Sequence, residues 1–248
     1  MDITAEIEMY FLQKQGELPE TYEDAAKYSI GEKVVKIAVG DGATTAHFSK
    51  LWVNILTDFF VANTPFFVWG CGRIKGKARR LSDWLLKGAL EWKSHIDYSK
   101  LPSHVFKNLQ KGSFATLLGL HLHLTTGFYR LVAIGDCNVV LVRDDKIILA
   151  WPIEKPEDFG TSPGLVYTNP DMNKNLSKKL KIAKGRFQVG DTFLLASDVM
   201  AHHILQYGLP SVSSQEEFEL FVEQERKAER MRNDDMTLLR VKVIEKEA

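Results

Sequence analysis

The clearest periodicity in the chain begins at Lys33. Residues 33 to 40, KVVKIAVG, are rich in Val and Ile and end on a glycine, which predicts a short strand buried on at least one face. Directly after Asp41-Gly42 the period changes. Phe48, Leu51, Trp52, Ile55, Leu56, Phe59 and Phe60 recur at i, i+3, i+4, i+7, i+8, i+11 and i+12, the stripe of an amphipathic helix that Thr44 or Thr45 can cap and Pro65 stops. Phe66 to Trp69 reads as a further strand, and about Ala78 to Lys93 as a second helix. From Ser113 to Trp151 four strand-like runs follow one another, SFATLLGLHLHL, FYRLVAIG, NVVLVR and KIILAW, with Arg143-Asp144-Asp145-Lys146 as a hairpin turn between the last two. Consecutive strands on short links predict an antiparallel meander, not a parallel doubly wound sheet. Pro152 to Leu176, with four prolines, reads as a long surface loop. FQVGDTFLLAS is another strand, leading to Asp198 and a helix over Val199 to Gln206. Ser213 and Ser214, each with a glutamate three residues later, offer capping boxes for a helix to about Met231, and MTLLRVKVI alternates as a closing strand.

Length and charge narrow the class. A chain of 248 residues fits one large mixed sheet-and-helix domain spanning 1–248, and 32 basic minus 32 acidic residues leave no net charge to draw it to nucleic acid or an anionic membrane. With 45% hydrophobic and 26% charged residues a sizeable core is available, which excludes disordered and collagen-like classes. No apolar run approaches the roughly 20 residues that cross a bilayer. MDITAEIEMYF lacks a basic n-region and an apolar h-region, and two cysteines, Cys71 and Cys137, make no disulfide framework, so a reducing cytoplasm is the expected setting.

The chemistry lies in where the acids fall. Asp41 follows one strand, Asp198 follows another, Asp234 immediately precedes the closing strand, and Glu23-Asp24 adjoin the small-residue segment AAKYS. Acids on strand tips are held rigidly yet reach solvent, so several tips at one sheet edge make a preorganised site. Two carboxylates about 5 Å apart repel by roughly 3 kcal/mol at an effective dielectric of about 20, and a divalent cation relieves that repulsion. All-oxygen donors select magnesium or manganese over zinc.

Six segments in order carry a family resemblance: YEDAAKYS (22 to 29), VGDGATT (39 to 45), GSFATLLGL (112 to 120), AIGDCNVVLVRDDK (133 to 146), GDTFLLASDVM (190 to 200) and DDMTLL (234 to 239). Together, over residues 20 to 243, they resemble the metal-dependent type 2C protein phosphatases, in particular a bacterial branch with a DGA-type metal loop. The resemblance implies an α+β fold, a four-layer α-β-β-α sandwich of two mainly antiparallel sheets flanked by helices. It implies two Mg2+ or Mn2+ ions, with Asp41 bridging them, the Gly42 carbonyl and Glu23 on one, Asp198 and Asp234 on the other, and Asp24 and Asp235 supporting from behind. The implied reaction is hydrolysis of phosphoserine or phosphothreonine in a protein by a metal-activated water, with Asp41, Asp198 and Asp234 catalytic. Asp136 matches a turn of the family read as structural.

The chain also departs from the family. Pro19 stands where an arginine commonly grips the substrate phosphate, Ala43, Thr44 and Thr45 replace the usual His or Met and paired glycines, Val199 replaces a glycine, and Leu109 falls near an acid that serves a third metal. These departures define an alternative: a catalytically weak or inactive phosphatase-fold module that binds a phosphorylated partner. The basic run GRIKGKARR (72 to 80) lacks interleaved aromatics to stack bases, so nucleic acid is disfavoured and the run reads as a solvated face. His121, His123 and His202 read as non-ligating, Cys137 as a small buried thiol, and Phe218, Leu220 and Phe221 as core.

Overall fold

The computed structural model of the chain describes residues 2–62, 74–109 and 111–246, and the side chains of 74–79, 104 and 107 lie outside that description. The elements are β1 (Ile3–Leu12), β2 (Asp24–Ile30), β3 (Val34–Asp41), α1 (Ser49–Ala62), α2 (Ile74–Ser94), α3 (Ser103–Leu109), β4 (Phe114–Ala115), β5 (Leu117–His123), β6 (Phe128–Ile134), β7 (Asn138–Arg143), β8 (Lys146–Trp151), β9 (Val166–Tyr167), α4 (Leu176–Lys179), β10 (Lys181–Arg186), β11 (Thr192–Ala196), α5 (Asp198–Tyr207), α6 (Gln215–Lys227) and β12 (Met236–Glu245). Ten of the strands form two five-stranded sheets, ordered β1-β12-β11-β7-β8 and β10-β6-β5-β3-β2, with antiparallel neighbours throughout.

Strand alternation sorts the side chains into layers. Val35, Ile37 and Val39 of β3 and Leu118, Leu120 and Leu122 of β5 pack between the sheets against Phe193, Leu195, Leu239, Val241 and Val243. The opposite face of the same sheet, with Ala38 and Leu117, packs on Trp52, Leu56 and Phe60 of α1 and Leu85 of α2. Val140, Leu194, Ala196 and Leu238 on the outer face of the other sheet pack on Met200 and Ile204 of α5 and Phe218 of α6. Helix, sheet, sheet and helix are therefore stacked as the expected four-layer α+β sandwich. Each fully buried aliphatic or aromatic side chain contributes about 1.5–3 kcal/mol to holding the layers together. None of the described helices is long and apolar enough to cross a membrane.

Several expectations change in detail. The runs after Ser113 do not make one meander: β5 and β6 pair in one sheet, β7 and β8 in the other. The chain crosses between sheets at Gly135, whose φ of 114° favours glycine and whose Cβ position would lie 2.6 Å from the Thr116 side chain. The first run breaks at Thr116, and its β4 part pairs with β9. That pairing ties down the segment read as a surface loop, where Val166 and Thr168 are buried and Thr168 Oγ1 accepts from the Ser113 N–H at 2.8 Å. Helix α1 starts at Ser49, because 43 to 48 form turns ending at Phe48 with φ 60°, so neither Thr44 nor Thr45 caps it. Ser214 does cap α6, accepting from the Glu217 N–H at 3.2 Å. Leu220 is exposed and is not core. Pro65 and the strand read at Phe66 to Trp69 lie outside the described residues.

Candidate metal centre

The acids gather at one end of the sandwich because the strands that carry them end there. Asp24 and Asp41 are direct register partners on β2 and β3, so their side chains share a face about 5 Å apart. Asp41 continues the row of Val35, Ile37 and Val39 that faces the opposite sheet, and Thr116 fixes it from both sides. Its N–H donates to Thr116 Oγ1 at 2.8 Å, and its carbonyl accepts from the Thr116 N–H at 2.8 Å. Gly42 donates its N–H to the Glu23 carbonyl at 3.1 Å. A Cβ there would lie 2.8 Å from that carbonyl oxygen and 3.1 Å from the Ser49 backbone, so only glycine lets the strand tip approach this closely.

Around this tip each acid has its own support. Asp24 is buried and accepts from Thr237 Oγ1 at 2.7 Å, and Thr237 also shares a hydrogen bond with the Tyr22 hydroxyl. Ser49 Oγ, at the start of α1, donates to Glu23 Oε1. Asp198 accepts from the Val199 N–H at 2.6 Å and from Arg232 Nη2 at 2.7 Å. Asp234 accepts from the Asp235 N–H at 3.0 Å and pairs with Lys14 Nζ at 3.2 Å. Asp235 spends one oxygen on the Lys14 N–H (3.0 Å) and the other on the Glu23 N–H (2.7 Å), which fastens the β1–β2 connection to the start of β12.

The electrostatics register this convergence. Burial first, then the charges of Asp24, Asp198, Asp136 and Asp234, push the Asp41 carboxyl well above the usual range. Burial chiefly raises Asp24 to about 7, with Asp235 and Asp198 adding to the rise. Asp198 is raised by burial against the opposing pull of Arg232. Asp136 also belongs to the cluster: it is buried, its Oδ1 has no hydrogen-bond partner among the described residues, and burial followed by the Asp198 charge raises it to about 7. A glycine-aspartate turn gives no sequence sign of this, because its neighbours come from β3 and the end of β11.

Two cations occupy the rim. Besides pairing with Asp234, Lys14 Nζ donates to Thr44 Oγ1 at 3.0 Å and lies 4.0 Å from Glu23 Oε2. With Lys14 holding Asp234 and Arg232 holding Asp198, no three His, Cys, Asp or Glu side chains among the described residues stand at ligating distance around one point. In charge and donor chemistry the site fits a hard divalent cation: all-oxygen donors, carboxylates raised by burial and then by mutual repulsion, and an Asp136 carboxylate oxygen without a hydrogen-bond partner among the described residues. Pro19 opens an exposed 3-10 turn to Thr21 with no cationic side chain of its own, and Leu109 ends α3. Arg73 of the basic run lies outside the described residues, and Arg79 outside the described side chains.

This architecture is the fold of the type 2C serine/threonine phosphatases. A bacterial serine phosphatase bearing a point mutation superposes with a TM-score of 0.61 at 14% identity, over 97% of this chain and 98% of that one. The catalytic domain of the serine/threonine phosphatase PstP in complex with two manganese ions gives 0.56 at 16% identity, over 98% and 100%. RsbX in complex with magnesium gives 0.53 at 13% identity, over 97% and 96%. No family sequence model and no curated protein matches the chain by sequence.

Proposed function

We propose that this chain is a divalent-metal-dependent phosphoprotein phosphatase acting on phosphoserine and phosphothreonine, built as one domain and working in the cytoplasm. The carrying observation is the convergence of acids from β2, β3, the 135–137 crossing, the end of β11 and the start of β12 on one end of the sandwich. Structural neighbours described with magnesium and with two manganese ions support two ions here. Two bound divalent ions would neutralise the carboxylates, acidify a water and draw in the phosphoryl oxygens.

The chain's own residues set that chemistry up. Asp41, held in place by Thr116, would be a ligand to both ions, with the Gly42 carbonyl and Glu23 available to hold one and Asp198 and Asp234 the other. Asp24 sits behind Asp41 and is oriented through Thr237, while Asp235 keeps Glu23 in place through its backbone. The side chains held by Lys14 and Arg232 must exchange partners for this set to close, and that exchange is what favours the second reading, a binding module with little turnover.

Hydrolysis of a phosphothreonine peptide with manganese, abolished by a chelator and by Asp41→Asn, is the expected result. Phosphopeptide binding without turnover selects the binding module. Manganese-independent hydrolysis refutes both.

A further inference from the structure

A cavity of about 580 Å³ opens beside the acidic centre, within the size range of small-ligand sites. The loop after β8 forms one wall at Phe159, Gly160 and Thr161, and the other wall comes from α5 and the segment from Arg226 to Arg232. Arg232 joins the two sites: it lines the cavity and donates to Asp198 at 2.7 Å.

The lining is cationic. Arg226, Arg230 and Arg232 face it against one acid, Glu229. Arg230 is fixed from behind by Glu225, which takes its Nε at 2.6 Å and its Nη2 at 2.5 Å. Arg226 hydrogen-bonds the neutral carbonyls of Gln13 and Asp234, and the carboxylates of Asp235, Asp234 and Glu223 act on its charge from beyond hydrogen-bond contact. Arg232 keeps a largely exposed side chain beyond its bond to Asp198. Guanidinium groups anchored by partners behind them lose little freedom when an anion arrives, and their forks match carboxylate and phosphate oxygens.

We infer that this cavity binds an acidic side chain flanking the phosphorylated residue, so that the preferred ligands are acidic phosphopeptides. The inference rests on the phosphatase-fold reading of the neighbouring centre. It assigns substrate preference to a surface beside the acids, joined to them through the bond of Arg232 to Asp198.

The test uses two fluorescent phosphothreonine peptides, identical except for Asp-Glu or Lys-Lys beside the phosphothreonine, bound to the manganese-loaded protein and followed by anisotropy and by phosphate release. The acidic peptide should bind about tenfold more tightly, equivalent to about 1.4 kcal/mol. Arg230→Gln should reduce the preference below about threefold, the loss of one charge-assisted contact, while leaving p-nitrophenyl phosphate hydrolysis unchanged. Because Arg230 also supports Glu225, Thr161→Glu provides an independent variant: Thr161 is exposed, and the new charge on the cavity wall should reduce the preference equally. Equal binding of the two peptides, or a preference that survives Thr161→Glu, overturns the inference. Equal binding with manganese-dependent turnover overturns the cavity alone, whereas an acidic preference without turnover of any substrate keeps the cavity and removes the phosphatase.

Discussion

Lys14 Nζ lies 3.2 Å from Asp234 Oδ1 and 4.0 Å from Glu23 Oε2, which sets one ammonium between two acids assigned to different ions. Burial alone would lower the Lys14 pKa, yet it is raised, because Asp234, Asp235 and Glu23 together outweigh that loss of solvent. Lys14 would therefore compete with a divalent cation drawn to these oxygens. Lys14→Met should tighten manganese binding by roughly threefold to tenfold, the scale of a partly buried ion pair, and lower the melting temperature of the metal-free protein. Calorimetric titration with manganese checks this, and unchanged or weaker binding would show that the ammonium is no competitor.

Stability should fall as pH rises in the absence of metal. Asp24 and Asp136 are raised from 3.8 to about 7, so across that window the folded chain holds protons that the unfolded chain has released. Their contribution is complete below about pH 4 and is lost as pH climbs through 7, the reverse of a salt-bridged carboxylate. Melting temperature measured with a chelator should decline from pH 5 to pH 8. Manganese should flatten or invert that slope, because a cation stabilises the ionised form. A chelated protein that grows more stable toward pH 8 would contradict the burial and mutual repulsion described.

Asp41→Asn separates function from stability. Removing the ionisable group relieves the cost of burying its charge and then the repulsion from Asp24, Asp198, Asp136 and Asp234, so the metal-free variant should be more stable than the parent by about 1 kcal/mol or more. Turnover should drop on the order of a hundredfold or more, because the shared ligand is gone. Thermal melts and kcat measured on one preparation decide both signs.

Gly119 tests the packing beneath the centre. A Cβ at this position of β5 would come within 2.2 Å of the Phe60 ring on α1. Gly119→Ala should destabilise by about 1–3 kcal/mol through overpacking, and Gly119→Ala with Phe60→Leu should recover part of the loss. Denaturant titration of the single and double variants measures it.

Much of this arrangement is legible in the sequence where period and burial coincide. β3 and the α1 stripe are such cases: Val35, Ile37 and Val39 alternate into the core, and Trp52, Leu56 and Phe60 are buried at helical spacing. β1 carries the same kind of signal, since Ile3, Ala5 and Ile7 alternate with Thr4 and Glu6 and pack into the inter-sheet core. β10 carries no such signal, because an edge strand reading KIAKGR buries too little apolar surface to leave a pattern. The acids at strand tips could be picked out one by one. Their company could not, because Asp136 meets Asp198 across 62 residues of sequence, and Lys14 reaches Asp234 through the pairing of β1 with β12.

The most direct measurement is the anomalous difference density of a manganese-soaked crystal. Two peaks about 3.5–4 Å apart are expected, both touching Asp41, with Glu23 and the Gly42 carbonyl on one, Asp198 and Asp234 on the other, and Lys14 and Arg232 turned away. Absence of any peak at Asp41, with Lys14 still on Asp234 and Arg232 still on Asp198, would contradict the metal centre.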